Sequence, residues 1–160
     1  MDISKEKLID LFARSIMTMD GLWFLSAEEK YGLDKAIEMD CSVWQRFMPI
    51  HLKRVMKTFD IKEDGITGLF KAFEVDPIWS IFKPEFPLLT KEKCVIRMTD
   101  CPPQKARVRD GRGEFPCKEV GIACFRSVIK DFLPGGELRC IVCPPDPHPE
   151  NVWCEWEFCS

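Results

Sequence analysis

Four of the nine cysteines in this chain stand where one metal ion could gather them: Cys117, then Cys140 and Cys143 in a C-x-x-C, then Cys154. Two thiolates three apart on one turn, joined by two distant ones, can close a tetrahedron around a soft cation. Any fold must then bring three separate segments to one point, which constrains the C-terminal part tightly. Cys140 and Cys143 end a predicted strand that Pro144-Pro145 breaks at once, so the turn aims both sulfurs together. Cys117 opens a predicted helix, where the dipole and free N–H groups favour a thiolate. Cys154 lies on the strand that follows. Zinc would satisfy this set without redox chemistry, and a closed set would make the metal structural. An iron–sulfur cluster and plain reduced thiols stay open as alternatives, although a cluster usually uses a shorter ligand run.

The compartment decides how to read so many thiols. The N-terminus, Met1-Asp-Ile-Ser-Lys-Glu-Lys7, shows no charged leader followed by an apolar stretch, so a cytoplasmic protein is expected. No apolar run approaches the ~20 residues that span a bilayer. In a reducing cytosol, cysteines suggest metal or thiol chemistry rather than a disulfide framework. A net charge of −3 and a pI near 5.5 supply no global basic field for nucleic acid. The local run Lys105-Ala-Arg107-Val-Arg109 is read as a solvated strand face. With 160 residues, 46% of them hydrophobic, the chain is read as one domain over 1–160, with a helical part (1–75) and a metal-binding α+β part (93–159).

Apolar residues at Leu8, Leu11, Phe12, Ile16 and Met19 recur at helical spacing and predict one buried stripe. Asp20-Gly21 interrupts the run, Ser26–Glu29 has capping-box spacing, and Tyr31-Gly32 reads as a helix end. Leu33–Met39 reads as a short helix, with Asp40 the N-cap of a longer one bent near Pro49. Gly65–Phe73 is a further helix that Asp76-Pro77 ends. Residues 76–92 read as a Pro-rich crossing that covers the core. Beyond them the period changes. Cys94–Asp100, Ala106–Arg109, Leu138–Cys143 and Val152–Phe158 read as strands, with a helix from Cys117 to Phe132. The expected fold class is α+β, a helical half packed on an antiparallel sheet of order β-β-α-β-β.

Cys117-Lys-Glu-Val-Gly121 with Phe125, the Cys140/Cys143 pair, and Asn151-Val-Trp-Cys154-Glu-Trp-Glu-Phe158 together resemble the four-vinyl-reductase domain. That small-molecule-binding fold is shared with sensor domains of phenol-responsive transcription activators. The resemblance covers about residues 93 to 159 and implies zinc on Cys117, Cys140, Cys143 and Cys154. It departs from the pattern in a longer, proline-rich loop before Cys154 and in lacking the glycine usual there. Asp20-Gly-Leu-Trp-Phe24, Trp44 and Thr99–Gln104 look closer to an uncharacterised cytosolic family of anaerobic microbes, distantly similar to L-2-amino-thiazoline-4-carboxylic acid hydrolases. The activators' DNA-binding and ATPase domains have no counterpart in the chain. Because such sensor domains pair, the resemblance leaves room for a homodimer.

Among the other cysteines, Cys94, Cys124 and Cys159 read as packing. Cys101, in Asp100-Cys-Pro-Pro-Gln104, is the candidate nucleophile, but no histidine adjoins it in sequence. His51 lies on a helix, and His148, in a loop, is an alternative metal ligand. No dinucleotide, phosphate-loop or His-Glu-x-x-His motif is present. Glu28, Glu29, Glu155 and Glu157 are expected to face solvent.

The first functional reading is a small-molecule-binding domain for a small apolar or aromatic ligand, with zinc locking the last helix to the last two strands. Its expected pocket walls are Trp23, Phe24, Trp44, Trp79, Phe115, Val120 and Trp156. The second is a Cys101-dependent hydrolase of a small cyclic amide or thiazoline, with Arg97 or Lys105 binding an anionic group. The third is an iron–sulfur or redox module. Neither nucleic acid nor membrane is an expected partner.

Overall fold

In the computed structural model, which describes residues 4–160, the helical half is built on two long helices rather than a series of short ones. Helix α1 (Lys5–Tyr31) starts where the Ser4 side chain accepts a hydrogen bond from the Lys7 amide. It runs straight through Asp20-Gly21, since one interior glycine costs only about 1 kcal/mol against a long flanking helix. Gly32, at φ +85°, takes the backbone geometry other residues avoid and reverses the chain into α2 (Leu33–Thr58). Asp40 lies inside α2 and caps nothing. Pro49 is also interior, leaving the exposed Gln45 carbonyl to solvent.

Helix α3 (Gly65–Val75) and the single turn α4 (Pro77–Ser80) meet at Asp76. Its fully buried carboxylate accepts from the Ile78 amide and lies 2.8 Å from His51 Nε2. Among the described residues no helix is long and apolar enough to cross a membrane.

The fold class is α+β, with an antiparallel four-stranded sheet of spatial order β1-β2-β4-β3. Strands β1 (Pro84–Leu89) and β2 (Lys93–Met98) come before helices α5 (Pro102–Arg109) and α6 (Lys118–Phe132). Strands β3 (Glu137–Val142) and β4 (Cys154–Cys159) close the chain. Two expectations are corrected. The crossing at 76–92 contains β1, whose prolines are tolerated because it is an edge strand with a bulge. Residues 106–109 are helical, not a strand. Pro102 and Pro103 fill the first turn of α5, where a missing N–H costs nothing.

The core lies between α6, α2, α3 and the sheet. Phe125 of α6 packs 5.1 Å from the ring of Trp156 and 5.3 Å from that of Phe158, with Trp79 stacked on it at 5.6 Å. Burying each such side chain contributes roughly 1.5–3 kcal/mol. Gly121 is the point of closest approach, because a Cβ there would fall 2.4 Å from the Trp156 ring. On the other face of the sheet, Glu155 pairs with Arg97 at 2.6 Å and Glu157 with Lys93 at 3.0 Å. Both carboxylates are half-buried in cross-strand pairs rather than free in solvent.

The predicted stripe on α1 is present but not buried. Leu8, Leu11, Phe12, Ile16 and Met19 are all exposed, and Ala13 alone on this helix is buried. Helical periodicity reveals a shared face but not whether anything covers it.

Candidate metal centre and the adjoining cavity

Strand β3 carries one extra residue between Cys140 and Val142, and this bulge turns the strand end toward β4. Cys143 follows, fully buried. The next residue ties the turn to α6, since the Lys118 amide donates to the Pro144 carbonyl at 2.9 Å. Cys117, just before α6, thereby faces the turn. The Cys143 thiol stands within hydrogen-bonding reach of both Cys117 and Cys154.

The electrostatics follow from this contact. Hydrogen bonds to Cys117 and Cys154 hold the Cys143 thiol far above its ordinary range. The Cys143 hydrogen bond, helped by the Trp156 side chain, holds Cys154 below it despite burial. Cys140 is pushed up to about 11, chiefly by burial, and the charges of Cys154 and Cys117 reach it. Lys118 lies near enough to Cys140 and Cys143 to feel both, while pairing with Asp146 at 2.6 Å.

The structure thus brings Cys117, Cys143 and Cys154 into one cluster with Cys140 at its side. Cys101 and Cys41 also lie within Coulombic range of Cys117. Cys41, from α2, carries no spacing signal in the sequence. All nine cysteines are free thiols.

Among the described residues no group of three or more His, Cys, Asp or Glu side chains stands ready-made for a metal ion. Thiols are nevertheless the donor type that a thiophilic ion takes. A tetrahedron with Zn–S near 2.3 Å has sulfur–sulfur edges of about 3.8 Å, close to the reach of a thiol hydrogen bond. His148 lies apart from the thiols, 3.3 Å from Glu114, with its ring against Trp153.

Cys101 is the N-cap residue of α5, but burial pushes its thiol far above the ordinary range. Asp100 beside it holds Lys105 at 2.6 Å and Lys83 at 3.3 Å. With His51 on Asp76 and His148 on Glu114, each histidine has a carboxylate partner elsewhere.

A cavity of about 500 Å³ lies between α1, α5 and the segment reaching Phe115, two residues before Cys117. Phe24 and Phe115 meet edge to face at 4.8 Å in its wall, with Met17, Ile81, Pro102 and Pro103 completing the apolar surface. Arg107 lies over both rings and makes a two-pronged pair with Glu28 at 2.7 and 3.2 Å. This pair corrects the expectation of solvated side chains for Arg107 and Glu28, which are largely buried, while Lys105 and Arg109 of the same run are exposed as expected.

Asp20 of α1 and Asp40 of α2 both line the cavity, with the Trp44 side chain near enough to influence both. Burial raises Asp20 to about 6. Burial, and then the charge of Asp20, raises Asp40 to about 7. The lining arginines are committed elsewhere: Arg14 to Asp10, Arg107 and Arg112 to Glu28, and Arg109 to Asp110. Each aspartate sits four residues beyond an apolar position of its helix, Ile16 or Ala36, and that misplacement is the sequence signal that could have exposed it.

The seven expected pocket residues divide three ways. Phe24 and Phe115 line this cavity, and Trp44 lies behind its two aspartates without lining it. Trp23 is exposed and lines a second groove between α1 and α2. Trp79 and Trp156 are buried in the core against Phe125 of α6, and Val120 is a buried residue of α6 itself.

Comparison with known proteins places the whole chain in one family. The model of a family of unknown function (DUF6125) matches residues 1–160, and the chain belongs to that family. No curated protein matches the chain, and no solved structure matches it.

Proposed function

We propose that this member of a family of unknown function is a small-molecule-binding domain whose cavity wall is clamped by a structural zinc on Cys117, Cys140, Cys143 and Cys154. The observation that carries this reading is that the thiol cluster and the cavity share the segment 115–117. Phe115 faces the cavity and Cys117, two residues on, faces the thiols. Helix α5 lines the cavity, and its N-cap is Cys101, within Coulombic range of Cys117 and Cys154. A closed tetrathiolate ion supplies cross-linking and no open coordination position. The chain's own residues then shape the ligand site: Phe24 and Phe115 bracket an apolar or aromatic body, and Asp20 and Asp40 receive its polar end. A reducing cytosol suits such a site.

The test is elemental analysis and a visible spectrum of the anaerobically purified protein. About one zinc per chain without a visible band is the expected result, and Cys143→Ser should lower both metal content and stability. A metal-free protein with every thiol titratable would overturn the zinc clamp. Iron with a broad visible absorption would replace it with an iron–sulfur module. For the cavity, a panel of small phenols and indoles should raise the melting temperature by mass action, less so in Phe24→Ala. A panel that shifts neither protein would remove the ligand reading.

The hydrolase reading has less support. A half-buried Cys101 thiol held protonated, with both histidines partnered elsewhere, lacks the base that activates a nucleophile. Selective alkylation of Cys101 near neutral pH would revive it.

A further inference from the structure

The apolar face of α1 is too large and too regular to be an ordinary solvated surface. Ile9, Phe12, Ile16, Met19 and Trp23 follow the alternating three-and-four spacing of a coiled-coil seam over the middle of a 27-residue helix. All five are exposed, Phe12 at 65% and Trp23 at 73%. Leu8, Leu11 and Leu22 widen the face. On α2, Met39 and Val43 continue it, since they line with Met19, Trp23 and Tyr31 one groove of about 520 Å³.

Taking roughly 200 Å² for a large side chain and about half of it exposed, ten such residues present on the order of 1,000 Å². The largest apolar patch on a typical monomer is about 300–600 Å². A stable interface takes about 800 Å² from each partner.

We infer that this face is the interface of a homodimer in which the α1–α2 hairpin of one copy packs on that of another across a two-fold axis. Two features favour a second copy over other occupants. First, the seam matches itself. With α1 helices antiparallel and the axis passing between Met17 and Thr18, Ile16 meets Met19 of the other copy and Phe12 meets its Trp23. That centre lies within one residue of the middle of α1, so the helices overlap along nearly their full length. A two-fold interface requires only such self-complementarity. Second, a lipid surface is disfavoured by charge. The described helix carries Lys5, Lys7, Arg14 and Lys30 against Glu6, Asp10, Asp20, Glu28 and Glu29, without the basic excess of interfacial helices.

The experiment is sedimentation equilibrium of the full chain beside Phe12→Glu, Trp23→Glu and a control, Arg54→Glu, on an exposed position outside the seam. Wild type and control should run at twice the 18.6 kDa chain mass. Each seam variant should weaken dimerisation by about a hundredfold or more, the scale of a buried aromatic anchor. Both replaced residues are exposed within one chain, so circular dichroism should stay unchanged and separate lost association from lost folding. A monomeric wild type at tens of micromolar overturns the inference. So does a dimer that both seam variants leave intact, or a monomer that floats with phosphatidylglycerol vesicles.

Discussion

Gln104 holds Phe115 by both ends of its peptide. The Gln104 amide donates to the Phe115 carbonyl at 2.8 Å, and its side-chain oxygen accepts from the Phe115 amide at 2.7 Å. Gln104 is buried and polar, on the helix that lines the cavity, while Phe115 stands two residues before Cys117. This pair of bonds fixes, without a metal, the segment that leads from the cavity wall into Cys117.

Replacing Gln104 by Leu keeps the volume and removes both bonds, leaving the part-buried Phe115 N–H without a partner while the Phe115 carbonyl keeps the Cys117 amide at 2.8 Å. The expected loss is about 2–3 kcal/mol in urea unfolding, from two bonds worth ~1 kcal/mol each plus desolvation. A loss under half a unit of that scale would mean that water replaces Gln104 and that the wall is not clamped there.

Arg107→Met should strand the Glu28 carboxylate, which is only 15% exposed. Breaking such a pair costs roughly 3–5 kcal/mol, with the low end expected because Arg112 remains 3.8 Å away. Adding Glu28→Gln should recover part of the loss, so a strictly additive double-mutant cycle would contradict the pairing. The Arg107 hydrogen bond lowers the Glu28 pKa. Its stabilisation is therefore present above the unfolded value near 4.3 and lost as pH falls through the folded value.

Asp40 titrates the other way. Its folded value of about 7 lies above an unfolded value near 3.9, so the folded chain holds this proton more tightly. The contribution to stability is complete below about pH 4 and disappears as pH rises through 7. Asp40→Asn should flatten this slope and unfold at higher urea than wild type at pH 8. Equal slopes in the two proteins would place Asp40 in water.

Gly121→Ala tests the closest contact between helix and sheet. A methyl 2.4 Å from the Trp156 ring forces α6 or the indole to move, at about 1–3 kcal/mol. An unchanged melting temperature would show that α6 lies farther from β4 than the structure has it.

Much of the C-terminal half was legible because its signals are local. Cys140-x-x-Cys143 before Pro144-Pro145, the alternation in Val152–Phe158, and the apolar face of Val120, Cys124 and Val128 each speak for their own segment. The 106–109 segment misled because Ala-Arg-Val-Arg alternates like a strand, while the helix start two residues after Asp100 rests on prolines that break structure elsewhere. The aspartates of the cavity were legible only as misplaced charges. Trp44 stands one turn beyond Asp40 on α2, at a spacing the sequence shows, but its nearness to Asp20 depends on the α1–α2 hairpin.

By itself the sequence determined the α+β class, the helical N-terminal half and the cysteine-bearing turns, because periodicity and turn chemistry act within a few residues. Tertiary structure alone decided which apolar faces are covered. Trp156 lies under α6 while Trp23, equally apolar, stands in the open, because burial belongs to pairs of surfaces and a one-dimensional pattern describes only one of them. The same reason governs the candidate site. Each thiol was visible, but their meeting depends on a bulge in β3 and a hydrogen bond from Lys118 to Pro144, which join segments that the chain keeps apart.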